Sequence, residues 1–410
     1  MSTLDRYDSL VLEKLRSRGE AWIVGGWVRD SLSGLRPKEL DIATTLEPDE
    51  VRSIFPRSIM VGERFGTVRV RLDEVSDKDA MWEVTTLRTD GGYGDGRRPD
   101  NVEFGKEIEE DLSRRDFTIN AMAVDKKGLV IDPHGGMADL ESGVVRSVGD
   151  PEKRISEDGL RTIRAFRFLE KGELGVRRLD RSLNEAISAN LGMLDKVSRE
   201  RIWSELKCIL GGQNCGKIIE MMVENGIMEK ILPDISVNLV VSLCQNHLVN
   251  LALICSKEEV CGSELVEKLD VLLRLSNDEA SSIKFLHGCR GIELDHSDGS
   301  IRRFRAALPI FRQREVIDYC IGMGIEHKQF KRSLEITEDL KKGNSPMIDG
   351  NMLSEHTGLN PGKRLGRLKA WLHRIQIEKD MDDASELLTM ADQLDWLESD
   401  PEEWPILSWP

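Results

Sequence analysis

Apolar and polar positions alternate in short runs over the first 145 residues, and after that they recur every three to four residues. Val68, Val70 and Leu72 alternate with polar neighbours at the end of IMVGERFGTVRVRL, which predicts a strand. WEVTTLR and NVEF predict two more, and INAMAVD followed by GLVIDP predicts a hairpin about Lys126–Gly128. DPHGG, Asp132–Gly136, has turn composition. From about Ser156 the period is helical. In EDGLRTIRAFRFLE, Leu160, Ile163, Phe166 and Leu169 share one face and the arginines another. No strand pattern is found beyond residue 150. The expected fold class is α+β, a mixed-sheet head followed by an all-helical remainder. Gly211-Gly212 and GNSPMIDG interrupt the helical pattern, so the expected division is 1–145, 146–212, 213–342 and 343–410.

The chain of 410 residues carries a formal charge of −15, which argues against a polycationic nucleic-acid binder. The charge is uneven. Residues 380–404 hold ten acids and no base, which leaves −5 on the rest, and residues 151–212 carry thirteen Lys/Arg against ten Asp/Glu. A local RNA-binding face is therefore compatible with an acidic chain. The acidic stretch is expected to discourage non-specific RNA binding. No apolar run reaches the ~18 residues of a membrane span. The charged start, MSTLDRYDSLVLEKLRSR, lacks a signal-peptide core, and the seven cysteines form no CxxC pair. A cytoplasmic chain with reduced thiols and no membrane partner is expected.

Ile23–Asp41 reads as an apolar strand, a Gly25-Gly26 turn and a helix. Two glycines let backbone close on a ligand, and a following helix start favours anions. The spacing is neither GxGxxG nor GxxxxGK[ST], so dinucleotide-fold and P-loop readings fail. Thirteen residues after Gly26 stands Glu39-Leu40-Asp41. In a strand, i and i+2 share a face, and two carboxylates there can hold Mg²⁺ together with substrate phosphates.

Together these segments resemble the class II tRNA nucleotidyltransferases (CCA-adding enzymes), close kin of bacterial poly(A) polymerases. GGWVRDSLSG…ELDIAT matches the family's GGxVRDxLLG…DxDIAT, and EVTTLRTDGGYGDGRRPDNVEF followed by RRDFTINAMA matches its strand, flexible loop and next motif. DPHGGMADLESGVVRSVGDPEKRISEDGLRTIRAFRF fits the segment beyond, and MIDGNMLSEHTGLNPGKRLGRLKAWL looks like the tail motif. The likeness is continuous from about residue 20 to 232. It implies a polymerase β-like head followed by helical neck, body and tail. It also implies two-metal transfer of CMP, CMP and AMP from CTP and ATP to the tRNA 3′ end, with pyrophosphate released. The family usually has Asp where this chain has Glu39, which adds a methylene to one metal ligand. The implied catalytic carboxylates are Asp41 and Glu39, also the Mg²⁺ ligands, with Glu83 as a third. Gly26, Arg29, Arg115, Asp116 and Asn120 are the implied nucleotide contacts of the head. Arg115 suits the triphosphate, because planar donors grip phosphate oxygens in pairs, and Asp30 would orient Arg29. Asp116 and Asn120, four apart, are expected on one helical face.

Asp158 and Arg161, three apart, are expected to face one ligand from a helix. A carboxylate only accepts hydrogen bonds and a guanidinium only donates. Cytosine and adenine each present an amino donor beside a ring-nitrogen acceptor; uracil and guanine present the reverse. One Asp–Arg pair can thus accept C and A without a template. Mismatched partners in such a site discriminate by about 10⁴–10⁵. Arg164 and Arg167 continue down the helix as support or primer-phosphate contacts, and Arg201 is a candidate for orienting the pair.

The loop between Arg88 and Pro99, with Tyr93, Asp95, Arg97 and Arg98, is full length, whereas family members adding only CC have it shortened. VGERFGTVRV stands where poly(A) polymerases carry a basic signature. The full loop favours CCA addition, or A addition alone, and the missing signature favours tRNA as substrate; the expected function is CCA addition, with an A-adding enzyme, a poly(A) polymerase or a non-catalytic RNA-binding relative as the alternatives. His134 is expected to be a turn residue. Lys363, Arg364 and Arg367, at a helix start, suit tRNA phosphates. Trp404 and Trp409 are expected to dock against the body.

Overall fold

The computed structural model describes residues 3–37, 39–61, 66–75, 80–91 and 101–410, and the chain divides into two compact units. The first holds residues 1–235 with 271–275, the second 236–270 with 276–410. The loop carrying Tyr93, Asp95, Arg97 and Arg98 lies outside the described residues.

In the first unit, α1 (Arg6–Arg16) leads into β1 (Ala21–Val24), α2 (Gly26–Leu32), β2 (Asp41–Thr44) and α3 (Pro48–Ile54). Then come β3 (Ser58–Met60), β4 (Thr67–Val70), β5 (Trp82–Thr86), β6 (Arg88–Gly91), β7 (Asn101–Phe104) and α4 (Ile108–Ser113). A hairpin of β8 (Ala123–Val124) and β9 (Val130–Ile131) follows, as its sequence predicts. Seven strands form one sheet in the order β3-β4-β5-β2-β1-β8-β9. Within this sheet, among the described residues, only β2 and β5 pair in parallel, while β6 and β7 make a separate antiparallel ribbon.

The interior strand β1, between β2 and β8, is buried along its whole length, because both faces of the sheet are covered. Ile23, Ile42, Val68, Val70 and Val84 pack with Val11, Leu12, Leu15, Val28 and Val51 in one core. Trp22, Val24 and Ala43 turn to the other face, against Leu87, Ile108 and Leu112. Each large side chain so buried contributes about 1.5–3 kcal/mol. The indole Nε1 of Trp82 donates to Asp8 at 2.8 Å, which ties α1 to the sheet.

The helical part begins with α5 (Gly136–Ser142), β10 (Val144–Val145), α6 (Pro151–Glu157) and α7 (Leu160–Arg167). There is a strand beyond residue 150, contrary to the sequence reading. β11 (Arg178–Leu179) pairs in parallel with β10. Two residues, one an exposed arginine, are too short to show alternation. α8 (Arg181–Ala189), α9 (Arg199–Leu210), α10 (Cys215–Glu224) and α11 (Ile227–Ile231) complete this unit. α6 and α7 do not form one helix. Asp158 is extended (φ −152°, ψ 106°) and ends α6. Gly159 passes so close to the segment 191–196 that an added Cβ would stand 2.3 Å from the Met193 carbonyl oxygen.

The second unit is helical, with α12 (His247–Ile254), α13 (Gly262–Leu273, whose last residues count with the first unit), α14 (Asn277–Gly288), α15 (Asp298–Ala307), α16 (Ile310–Gly322), α17 (Lys328–Ile336), α18 (Gly350–Thr357), α19 (Lys363–Lys379) and α20 (Ala384–Ala391). Trp404 docks into a cluster with Leu365, Leu368 and Leu372. Trp409 packs on Phe304, ring centroids 4.9 Å apart. Among the described residues no helix is long and apolar enough to cross a membrane.

Candidate active site

The end of β1 and the start of β2 meet at one point, because the antiparallel register sets Val24 opposite Asp41. The chain then turns at Gly25 with φ +70°, a conformation few side chains adopt, and enters α2. A Cβ on Gly25 would stand 3.2 Å from Asp41 Oδ2 and 3.3 Å from Arg115 Nη1. The glycine therefore keeps open the space between an acid and a base.

On its other side Asp41 is in parallel register with Glu83 of β5, so these two carboxylates are lateral neighbours. Burial pushes the Asp41 carboxyl up to about 6; the charge of Arg115 opposes this, Glu83 and Glu39 add to it, and Arg29 opposes it. Glu39 does not share a strand face with Asp41 as the ExD spacing predicts. β2 begins at Asp41, and Glu39 precedes it, exposed and outside the cavity lining. Arg69 holds Glu83 through Nε at 2.7 Å and Nη2 at 2.6 Å.

The cavity in front of these carboxylates has a volume of about 620 Å³ and is lined by eight arginines and four acids. Asp41, Glu83, Gly26, Arg29, Arg115, Asp116, Asn120, Asp158, Arg161, Arg164, Arg167 and Arg201 all border it. These residues come from α2, β2, β5, the segment that follows α4, the α6–α7 junction with α7, and α9. Several of these charged groups are held from behind. Arg114 and Arg115 both reach Asp111, which is 1 % exposed. Burial alone would raise Asp111; the two guanidinium groups outweigh it and hold the carboxyl below its usual range.

Asp116 and Asn120 do meet, but not on an α-helical face. α4 ends at Ser113, Phe117 bridges to Ser147, and Thr118–Asn120 is a single 3₁₀ turn. Asn120 Nδ2 donates to Asp116 Oδ1 at 3.3 Å, and its Oδ1 accepts from Arg29 Nη1 at 2.7 Å. Arg29 also pairs with Asp30 at 2.7 Å. Arg164 grips Asp116 Oδ2 through Nε at 2.7 Å and reaches Glu205 with Nη1 at 3.1 Å. Arg167 takes the other Glu205 oxygen at 2.9 Å. Burial works against both charges, yet the pairing prevails: Asp116 is lowered by Arg164 and Asn120, and Arg164 is raised by Asp116 and Glu205.

Asp158 and Arg161 face the same cavity without sharing a helix. Asp158 Oδ1 accepts the Leu160 amide at 3.0 Å and so starts α7. Arg201, the candidate for orienting the pair, reaches the Asp158 oxygens with Nη2 and Nη1 at 2.7 and 3.3 Å. Arg161 Nη1 donates to Glu157 Oε2 at 2.7 Å and to the Arg154 carbonyl at 2.9 Å. Arg154 Nη1 shares that Glu157 oxygen at 2.9 Å. Sequence reasoning missed Asp111, Glu205 and Phe168. Glu205 had a signal: it stands four residues after Arg201 on α9, hence on the same face.

Among the described residues no three His, Cys, Asp or Glu side chains form a ready metal cage. The Asp41–Glu83 pair, with the opening kept by Gly25, is nonetheless the donor set Mg²⁺ favours, few carboxylates completed by substrate oxygens. His134 stands apart from the cavity, its Nε2 3.1 Å from Ser113 Oγ. Lys363, Arg364 and Arg367 lie in the second unit, against the end of the chain. Lys363 pairs with Glu402 at 2.7 Å, Arg364 donates to the carbonyls of Trp396 and Ser399, and Arg367 to those of Pro401, Glu402 and Trp404.

A mixed sheet with paired carboxylates beside a glycine turn, joined to an arginine-lined helical segment, is the architecture of a nucleotidyltransferase head and neck. Residues 21–146 match the family described as the Poly A polymerase head domain, and residues 178–239 the one described as the probable RNA and SrmB-binding site of polymerase A. The CCA-adding enzyme of Geobacillus stearothermophilus is 42% identical over 218 residues, about half of each protein (53% of this chain, 52% of that one). The CCA-adding enzyme of Lactobacillus helveticus is 32% identical over 374 residues, 87% of this chain and 88% of that one. A crystal structure of the Bacillus stearothermophilus CCA-adding enzyme in complex with CTP superimposes with a TM-score of 0.74 at 27% identity, covering 93% and 95% of the two chains. The Thermotoga maritima CCA-adding enzyme complexed with tRNA_CCA shares the fold, with a TM-score of 0.65 at 20% identity over 95% and 96%. The chain belongs to the CCA-adding enzyme family.

Proposed function

We propose that this protein adds CMP, CMP and AMP, from CTP and ATP, to the 3′ end of tRNA. The observation that carries this is one cavity bordered both by Asp41 and Glu83 and by Asp158 and Arg161. The first pair marks a place for phosphoryl chemistry; the second offers an acceptor and a donor to a base edge. Asp158 would accept from the exocyclic amino group of cytosine or adenine, and Arg161 would donate to the adjacent ring nitrogen. Arg201 and Glu157 fix those two side chains before the nucleotide arrives, so little is lost to reorganisation on binding.

Arg29, Arg115 and Gly26 border the part of the cavity next to Asp41, where the triphosphate would lie. The 3′-hydroxyl oxygen forms a bond to the α-phosphorus, the bond from that phosphorus to the bridging oxygen breaks, and pyrophosphate leaves. Asp41 and Glu83 would hold Mg²⁺, with Glu39 peripheral to them. Such ions, when bound, favour the deprotonated 3′-oxygen and neutralise the leaving pyrophosphate. Arg115 and Arg29 stabilise charge on the phosphate oxygens. Lys363, Arg364 and Arg367 are proposed RNA contacts on the strength of charge; the two arginines are committed to the end of the chain in this state. We read the chain as head 1–145, neck 146–212, body 213–342 and tail 343–410. A cytoplasmic location fits a tRNA substrate and a chain whose seven cysteines form no CxxC pair.

The test uses tRNA transcripts ending at the discriminator base, at CC and at CCA, with Mg²⁺ and CTP, ATP or both, read at single-nucleotide resolution. Growth by three, one and no nucleotides supports this reading. Growth only on the CC end means an A-adding enzyme, long A ladders a poly(A) polymerase, and silence a non-catalytic relative.

A further inference from the structure

Phe168 follows α7 directly and carries three guanidinium groups on one ring. The Cζ atoms of Arg29, Arg164 and Arg167 stand 5.1, 5.2 and 4.6 Å from its centroid. All three distances are within the ~6 Å over which a ring quadrupole attracts a cation. The ring is 6 % exposed yet borders the cavity, and it meets Phe117 edge to face at 5.6 Å. The arginines come from two parts of the chain, Arg29 from α2 and the others from α7. Arg29 and Arg164 are hydrogen-bonded at their edges to Asp30, Asn120, Asp116 and Glu205, Arg167 is ion-paired with Glu205, and the aromatic ring lies against what remains. Three like charges gathered this closely repel one another. An aliphatic side chain could fill the same space, but it would offer nothing to offset that repulsion.

The backbone at this point is pinned by Arg177, which is 5 % exposed. Its Nη1 donates to the Phe168 carbonyl at 3.0 Å and the Glu170 carbonyl at 2.9 Å, and its amide donates to the Leu169 carbonyl at 2.7 Å. Burial pushes Arg177 down to about 10, helped by the nearby charge of Arg29 and opposed by Asp30 and Glu170. A buried cation devoted to carbonyls at a helix end fixes where Phe168 stands.

We infer that Phe168 is a positioning residue for the incoming nucleotide: the negative face of its ring gathers Arg29, Arg164 and Arg167 into one preformed grip for the nucleotide's anionic and acceptor groups. This rests on the nucleotidyltransferase reading. The ring acts through the arginines, so its effect falls on nucleotide affinity rather than on the bond-making step.

The experiment replaces Phe168 in the full chain by mono-, di- and trifluorinated phenylalanine, which drain the ring quadrupole at nearly constant shape. KM and kcat for CTP and ATP on tRNA transcripts are measured for each, beside thermal unfolding. KM should rise stepwise with fluorine count, to about ten-fold for the trifluoro ring, with kcat within about two-fold and the unfolding temperature unchanged. Phe168→Leu should raise KM at least as far, and Phe168→Tyr should restore most of it. A KM independent of fluorine count overturns the inference, and so does a loss of kcat that only follows a fall in stability. A wild-type chain without transferase activity overturns the nucleotidyltransferase reading instead. Calorimetric titration of CTP across the same series then still decides the matter: a stepwise loss of affinity supports a role for the ring, and a flat series rejects it.

Discussion

Arg201 reaches both oxygens of Asp158, at 2.7 and 3.3 Å, and so fixes the plane in which that carboxylate meets the cavity. Asp158 lies between two helices, and without Arg201 its side chain would be held only by the Leu160 amide. The acceptor proposed to read the base is thus aimed by a residue 43 positions away on α9.

Removing that guanidinium should damage selection more than folding. Arg201→Ala leaves Asp158 free to rotate, and errors of about an Ångström in a positioned group cost on the order of 10²-fold. We expect kcat/KM for CTP and ATP to fall by about that factor, while incorporation of UTP falls less, so the C-over-U ratio drops. Arg201→Lys keeps the charge but loses the two-point grip and should lie between. Steady-state kinetics with all four nucleotides on one transcript measure this. An unchanged C-over-U ratio in Arg201→Ala would remove Arg201 from base reading.

Asp41 is destabilising when charged, and pH exposes this. Its pKa is raised on folding from 3.8 to about 6. Between those values the folded protein keeps a proton that the unfolded chain releases. Stability from this group therefore declines as pH rises through that window, and above it the penalty is constant, at most about 3 kcal/mol. Asp41→Asn should abolish nucleotide addition yet raise the melting temperature at pH 7 without metal. The gain should shrink toward zero near pH 4. Calorimetry of both proteins from pH 4 to 7 tests the sign, and a gain that persists at pH 4 would contradict it.

The parts legible in the sequence were those with a local signature. Gly25-Gly26, the hairpin about Lys126–Gly128 and the strand WEVTTLR each declare themselves by turn chemistry or alternation, and each is present. Other features depend on pairing across the chain. Glu39 and Asp41 look like one face of a strand until the strand proves to start at Asp41, where its neighbour is Glu83 from β5. Asp158 and Arg161 look like one helix until Asp158 proves extended and ends α6, beside Gly159, which passes close against Met193. Asp111 reads as one acid among several in a helix, and only the fold shows it buried beneath two arginines.

Glu205 joins Arg164 and Arg167 from a buried position, with its carboxylate side chain 9% exposed. Glu205→Ala leaves two guanidinium groups without that partner, and breaking a buried pair costs about 3–5 kcal/mol. Both arginines keep some solvent contact, so the lower end is expected, about 3 kcal/mol by urea denaturation. Glu205→Gln retains the shape and one acceptor and should lose roughly half as much. A Glu205→Gln variant as stable as the wild type would mean that the charge of Glu205 is irrelevant to the network.

The end of the chain covers the basic start of α19. Five carbonyls between Trp396 and Trp404 accept from Arg364 and Arg367, and Glu402 pairs with Lys363. These acceptors occupy the same donors that RNA phosphates would use. A chain ending at Asp395 loses the buried Trp404 and should be less stable by about 3 kcal/mol. If the three cations are RNA contacts, it should also bind tRNA more tightly at low salt. Each additional phosphate contact steepens the dependence of log affinity on log salt by roughly 0.7–0.9, so three contacts would add about two to three to the slope. Filter binding across a salt series, performed well below the melting temperature of the shortened chain, measures that slope. A slope and affinity equal to those of the full chain would show that Lys363, Arg364 and Arg367 serve only to hold the end of the protein.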